Sequence, residues 1–136
     1  MKKLTHDRTC VYNIGYHLVW STKYRKPVLV DNISVSLKEI LNEISIDKGF
    51  SIEIMEIMSD HVHIFVKADA KTAPNYIYKM LKGISATKIF KLYPDLKKSL
   101  YKGHLWNPST FIETVGHISD DVVKKYIQEQ KSHEPC

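Results

Sequence analysis

Cysteine is nearly absent from this 136-residue chain: Cys10 and Cys136 stand near opposite ends and form no metal or redox spacing. A disulfide framework is therefore excluded as the organising principle, and a reducing, cytoplasmic setting is expected. Long apolar runs are missing too. No stretch approaches the roughly 18 to 20 unbroken apolar residues of a membrane span, and the polar opening Met1-Lys2-Lys3-Leu4-Thr5-His6-Asp7 has no signal-peptide core behind it. Membrane insertion and export are not expected. There are only five glycines and five prolines, with no Gly/Ser linker, internal repeat or low-complexity tract. One domain spanning residues 1–136 is the expected organisation, and a 15.8 kDa chain buries roughly two-thirds of its unfolded surface, enough for a real core.

What the chain does have is localised positive charge. The net charge is +5, but residues 71–102 hold eight lysines (Lys71, Lys79, Lys82, Lys88, Lys91, Lys97, Lys98 and Lys102) against Asp95 alone, leaving the remainder net negative. Clustered lysines suit a polyanion, because each neutralised phosphate releases condensed counterions. A solvated helix face would look the same in composition.

Hydrophobic periodicity sets out the elements. Tyr12, Ile14, Tyr16, Leu18 and Trp20 alternate with Val11, Asn13, Gly15, His17 and Val19, predicting a strand from Val11 to Ser21. A basic loop, Lys23-Tyr24-Arg25-Lys26-Pro27, follows. Ile33, Leu37, Ile40, Leu41 and Ile44 recur at helical spacing and Gly49 ends the pattern. Phe50 to Met58 alternates again, and after Ser59-Asp60 the β-rich run His61-Val62-His63-Ile64-Phe65-Val66 predicts a hairpin partner. Thr72 is expected to cap a second helix, with Pro74 in its first turn, Ile77, Met80, Leu81 and Ile84 buried, and Pro94 as its stop. A strand near His104 to Trp106, interrupted at Asn107-Pro108 and resumed at Phe111 to Val115, comes next. Ser119, with Asp120 and Asp121 in the first turn, predicts a terminal helix to about Lys131. The order strand, helix, strand, strand, helix, strand predicts an α+β, ferredoxin-like split β-α-β plan, similar to RNA-recognition modules, with helices on one sheet face and the other face open.

His61 and His63 are two apart on a strand, so their imidazoles share a face about 7 Å apart along the chain, opposite Val62, Ile64 and Val66. Two such rings can converge on one metal ion, though two histidines rarely suffice. Asp60, His17, His104, the eight tyrosines and the glutamates from the middle of the chain onward are all open as further ligands or nucleophiles. On the terminal helix, Tyr126 and Gln130 are one turn apart, about 6 Å along the axis, beside the apolar edge Val122, Val123 and Ile127.

Taken together, the segments His17-Leu18-Val19-Trp20-Ser21-Thr22-Lys23-Tyr24-Arg25, Asp60-His61-Val62-His63-Ile64-Phe65-Val66, Leu81-Lys82-Gly83-Ile84-Ser85, Leu105-Trp106-Asn107-Pro108 with Thr114-Val115-Gly116, and Tyr126-Ile127-Gln128-Glu129-Gln130 resemble the single-tyrosine HUH transposases of small bacterial and archaeal insertion sequences. The REP-associated tyrosine transposases are relatives of that family. Ile84 and Ser109-Thr110 depart from its commonest pattern, at positions that bear on the DNA surface. The resemblance implies that Tyr126 is the nucleophile, that His61 and His63 hold Mg²⁺ or Mn²⁺, and that Gln130 completes the protein ligands. It also implies cleavage and rejoining of single-stranded DNA at element ends through a 5′-phosphotyrosine, recognition of DNA hairpins, and a homodimer. Lys23, Arg25, Lys26, Lys79, Lys82, Lys88 and Lys91 are then the expected hairpin-binding residues, with Tyr24 and Tyr78 available to stack on bases. Other readings use the same residues: a non-transposing HUH nuclease in replication initiation or hairpin processing, a non-catalytic single-strand binding module with structural histidines, or a zinc hydrolase.

Overall fold

The computed structural model describes residues 14–69 and 71–115, together with residues 5–6 and 11–12. Two short strands, β1 (Thr5–His6) and β2 (Val11–Tyr12), pair with each other. The expected strand from Val11 to Ser21 is thus realised in two pieces, and its longer part, β3 (Ile14–Ser21), enters the main sheet. Next come α1 (Asp31–Lys48), β4 (Ser51–Ile57), β5 (His61–Ala68), α2 (Pro74–Leu92), α3 (Pro94–Ser99) and β6 (Phe111–Val115). The four-stranded sheet has the antiparallel order β4-β5-β3-β6, so β5 and β3 are central and β4 and β6 are edges. This is the expected ferredoxin-like topology.

The sequence patterns explain the elements. In α1, Leu37, Ile40, Leu41 and Ile44 are buried, at the spacing that makes one apolar stripe. Gly49 ends the helix at φ 82°, the left-handed cap where a Cβ is unfavourable. Helix α2 buries Ile77, Leu81, Ser85 and Ile89 and packs on α1. Both helices cover one sheet face, where Leu18, Trp20, Val62, Ile64 and Val66 complete the core.

Further details differ from the sequence reading, among them Met80 and Ile84, expected in the buried stripe of α2 but only half-buried. Ala73, not Thr72, is the N-cap of α2, because the Thr72 hydroxyl donates backwards to Asp69 Oδ1 at 2.6 Å. Pro94 stops α2 but opens α3, since proline suits the first helical turn as well as it ends a preceding helix. Around His104 to Trp106 there is only a single bridge, Thr22 to Trp106, before β6. A register shift between Ile52 and Ile54 breaks the alternation of β4. The terminal helix expected from Ser119 to Lys131, with Tyr126 and Gln130, lies outside the described residues.

Candidate active site

The sheet face opposite the helices gathers the polar residues. Side chains paired directly across antiparallel strands share a face, and His63 is opposite both Val19 and Glu56, while His61 is opposite Ser21. Phe65 pairs with His17, and His17 with Glu113. His61, His63 and His17 therefore stand on one surface. Their ring centroids are 4.8 Å apart for His61–His63 and 5.8 Å for His17–His63. His17 also meets the edge of Phe111 and lies 4.0 Å from Glu113.

This surface is not open along β5. His61 is 2% exposed, His63 and His17 are fully buried, and Phe65 is buried with them. Position within the sheet accounts for part of this: β5 is flanked on both sides, and the tip of the Phe65 ring packs against Gly15, where an added Cβ would come within 2.2 Å of it. Alternation predicts which residues share a face; it does not predict what neighbouring strands bring to that face.

His61 has a defined partner. Its Nδ1 is 2.6 Å from Asp60 Oδ1, and Asp60 Oδ2 accepts from Arg25 Nε at 3.0 Å. A carboxylate only accepts, so the proton in the first contact belongs to Nδ1, and the lone pair of the neutral ring is on Nε2. Arg25 Nη2, 3.3 Å from the same Nδ1, is a donor facing a donor and makes an adjacent contact instead of a bond. Burial would raise the Asp60 carboxyl, but the hydrogen bonds from Arg25 and His61, reinforced by charge, outweigh it and hold that carboxyl below the usual range. An imidazole with Nδ1–H on a carboxylate and Nε2 carrying the lone pair is the standard form of a metal-ligating histidine. The donor set at His61 and His63 thus fits a divalent cation. Among the described residues no group of three or more His, Cys, Asp or Glu forms a complete metal cluster, and Gln130, the expected further ligand, lies outside them.

The backbone around this pair is fastened at several points. Thr22, fully buried, donates through Oγ1 to Lys26 O (2.8 Å) and Asp60 O (3.2 Å), and its N–H donates to Asp60 O (2.9 Å). Asn107 N–H donates to Ser21 O and Lys23 N–H to Leu105 O, each at 2.9 Å. The sequence leaves Asp60 open as a ligand. The structure makes it the hydrogen-bond partner of His61, and the role of Thr22 has no signal in the sequence beyond its place after the strand.

The expected DNA-binding residues fall into distinct settings. Lys23, Lys79 and Lys82 line a groove of about 600 Å³ between α2 and residues 103–108, with Tyr78, Phe90 and Trp106 among its walls. Lys91 and Lys97 line an adjoining cavity that shares Ala86, Phe90 and Gly103 with it. Lys88 is exposed on α2. Lys26 Nζ donates to Ser99 O at 3.2 Å, and Arg25 is on Asp60. Lys82 is a groove wall with its ammonium turned inward: Nζ donates to Asn107 O (2.8 Å), Ser109 O (3.1 Å) and Thr110 Oγ1 (2.9 Å). Burial lowers its pKa to about 8. Tyr78 lines the groove and Tyr24 is 65% exposed.

Comparison with known proteins places the chain in a family. Residues 10–130 match the family described as "Transposase IS200 like". The chain is 42% identical over 134 residues to the ISDra2 transposase TnpA of Deinococcus radiodurans, covering 98% of this chain and 94% of that one. It is 26% identical over 136 residues to the transposase of insertion sequence IS200 from Salmonella typhimurium, covering 98% and 88%. A crystal structure of a putative transposase from Deinococcus radiodurans superposes over the full length of both chains with TM-score 0.77 and 35% identity. A REP-associated tyrosine transposase bound to a REP hairpin shares the fold alone, with TM-score 0.63 and 13% identity over 98% of this chain and 75% of that one. With a family match across most of its length and a relative 42% identical end to end, this chain belongs to the IS200-like transposases, the small HUH tyrosine enzymes of insertion sequences.

Proposed function

We propose that this transposase cleaves and rejoins single-stranded DNA at the ends of its element through a covalent 5′-phosphotyrosine on Tyr126, with hairpins as its recognition signal. The observation that carries the reading is the paired, buried His61 and His63 with Asp60 fixing the proton of His61, an arrangement suited to a divalent ion beside a phosphate. Mg²⁺ or Mn²⁺ held by His61, His63 and Gln130 would supply charge neutralisation at a non-bridging phosphate oxygen.

The chain's own groups do the rest. The phenolic oxygen of Tyr126 attacks phosphorus, the bond from phosphorus to the 3′ oxygen breaks, and the phenolic proton is balanced by the proton gained at the departing 3′ oxygen. One phosphoester replaces another, so the strand can be rejoined by reversal without an external energy source. Tyrosine's ordinary pKa of about 10 means that this proton transfer is part of the barrier. Lys23, Lys26, Lys79, Lys88 and Lys91 form the hairpin surface, with Lys82 shaping the groove that carries part of it. A homodimer sharing its terminal helices fits a reaction that must handle two element ends.

The test uses labelled single-stranded DNA carrying a hairpin, incubated with protein and Mg²⁺ or Mn²⁺ and then denatured. A covalent adduct is expected from the wild type and none from Tyr126→Phe. His61→Ala and His63→Ala should suppress the adduct while retaining hairpin binding. An adduct persisting in the phenylalanine variant would remove Tyr126 as nucleophile, and binding with no adduct under any condition would favour a non-catalytic module.

A further inference from the structure

We infer that Arg25 acts as a positioning residue for His61, clamping Asp60 so that the imidazole keeps its proton on Nδ1 and presents Nε2 to the ion; this rests on the metal site proposed above. The sequence groups Arg25 with the DNA-binding lysines, but three observations set it apart. First, although the side chain is 54% exposed, its Nε donates to Asp60 Oδ2 at 3.0 Å, while the other carboxylate oxygen takes the His61 proton at 2.6 Å. Each oxygen has its own donor. Asp60 is thereby held from both sides, and rotation of its carboxylate would break two charge-assisted bonds at once.

Second, the backbone is bent to deliver Arg25 there. Tyr24 and Arg25 both adopt left-handed conformations, at φ 57° and 53°, which are strained for a non-glycine residue and persist only where surrounding structure imposes them. Third, the imposing structure is present and ends on the same turn. Thr22 N–H and Oγ1 both reach Asp60 O, Oγ1 also reaches Lys26 O, and Arg25 N–H donates to Thr22 O at 2.9 Å. The strained turn and the Asp60 turn are thus one fastened unit, 35 residues apart in the chain. A residue whose task was to reach solvent-borne phosphate would not need its backbone locked to the residue beside a buried histidine.

The chemistry follows from tautomer equilibrium. A neutral imidazole free to choose distributes its proton between the two nitrogens, and every molecule with the proton on Nε2 has no lone pair there for a metal. Asp60 removes that population, and Arg25 keeps Asp60 in place. Outer partners of this kind change metal affinity by roughly 10- to 100-fold when removed.

The experiment has a metal-free arm and a metal arm on the full-length protein. The variants are Asp60→Ala, Arg25→Lys and Arg25→Asn, the last because asparagine tolerates the left-handed conformation while being too short to reach Asp60. In the metal-free arm, ¹⁵N imidazole shifts of His61, read where the ring is neutral, are expected to show the Nδ1–H form in wild type. A mixture is expected in Asp60→Ala and Arg25→Asn, with the wild-type pattern largely restored in Arg25→Lys. In the metal arm, Mn²⁺ affinity, followed by the electron paramagnetic resonance of the free ion, should fall roughly 10- to 100-fold in Asp60→Ala and roughly 3- to 10-fold in Arg25→Asn, with hairpin affinity and its salt dependence unchanged. An unaltered tautomer in Arg25→Asn overturns the inference, as does unchanged Mn²⁺ affinity together with a flatter salt dependence, which would make Arg25 a phosphate contact. Wild type that fails to bind Mn²⁺ at all would instead remove the metal reading, and the tautomer measurement would still decide the role of Arg25.

Discussion

Gly15 shows how one missing side chain shapes the candidate active site. The Phe65 ring occupies the space above its Cα, with Cζ, Cε1 and Cε2 at 2.2, 2.8 and 3.0 Å from where a Cβ would be. Phe65 is on the same strand face as His61 and His63, so a displaced ring pushes along the row that carries the imidazoles. Gly15→Ala is expected to destabilise the fold by about 1–3 kcal/mol, the usual cost of overpacking a filled core, as read from urea denaturation. Phe65→Leu in the same chain should recover most of that loss, because the tip of the ring and not the backbone is the obstacle; a loss undiminished in the double variant would show that the glycine is needed for some other reason. At this scale the sequence is informative about direction and silent about neighbours. Period-two alternation correctly opposes His61 and His63 to Val62 and Ile64. It carries no trace of the Arg25–Asp60 contact, which depends on a left-handed turn closing across 35 residues.

At the scale of elements, α2 organises the chain between α3 and β6. Trp106 Nε1–H donates to Ser85 Oγ at 3.1 Å, and the Trp106 indole meets Trp20 edge to face with centroids 5.8 Å apart. Three residues earlier on α2, Lys82 gives its three protons to residues 107, 109 and 110. Together these bonds hold the loop that feeds the edge strand β6. Lys82→Met keeps the aliphatic stem and removes the donors, leaving two carbonyls and a hydroxyl without their ammonium. A stability loss of about 1 kcal/mol is expected at pH 7, the size of a hydrogen-bond effect at a half-buried site. The pH dependence has a definite sign. The folded pKa of about 8 lies below the ordinary 10.5, so between these values the unfolded chain holds more protons and wild-type stability rises with pH relative to Lys82→Met. Urea denaturation at pH 7 and pH 10 should therefore show a larger gap between the two proteins at the higher pH, and an equal gap would mean that Lys82 is not desolvated. Helix α2 itself is legible from its apolar spacing, and Pro94 from its chemistry. Helix α3 is not, because six residues give too short a window for periodicity and its first residue is the same proline that reads as a stop.

Among the described residues, buried histidines, Glu56, Glu113 and Lys67 share the sheet face, whereas the lysine excess of residues 71–102 is spread over α2, α3 and the turns beside them. The groove between α2 and residues 103–108 places Lys23, from the loop after β3, beside Lys79 and Lys82, a meeting that the local charge count does not contain. Lysines that contact phosphate and lysines that hold protein should differ in a salt titration, since only the former release counterions when DNA binds. Lys79 is exposed on the groove rim and Lys82 is bonded into the wall. Lys79→Ala is accordingly expected to weaken hairpin binding and to reduce the slope of log affinity against log salt by about one. Lys82→Met should leave that slope nearly intact while lowering stability. If the two variants exchange these behaviours, the Lys82 ammonium must leave its three acceptors when DNA arrives, and the groove wall would be remade in the complex.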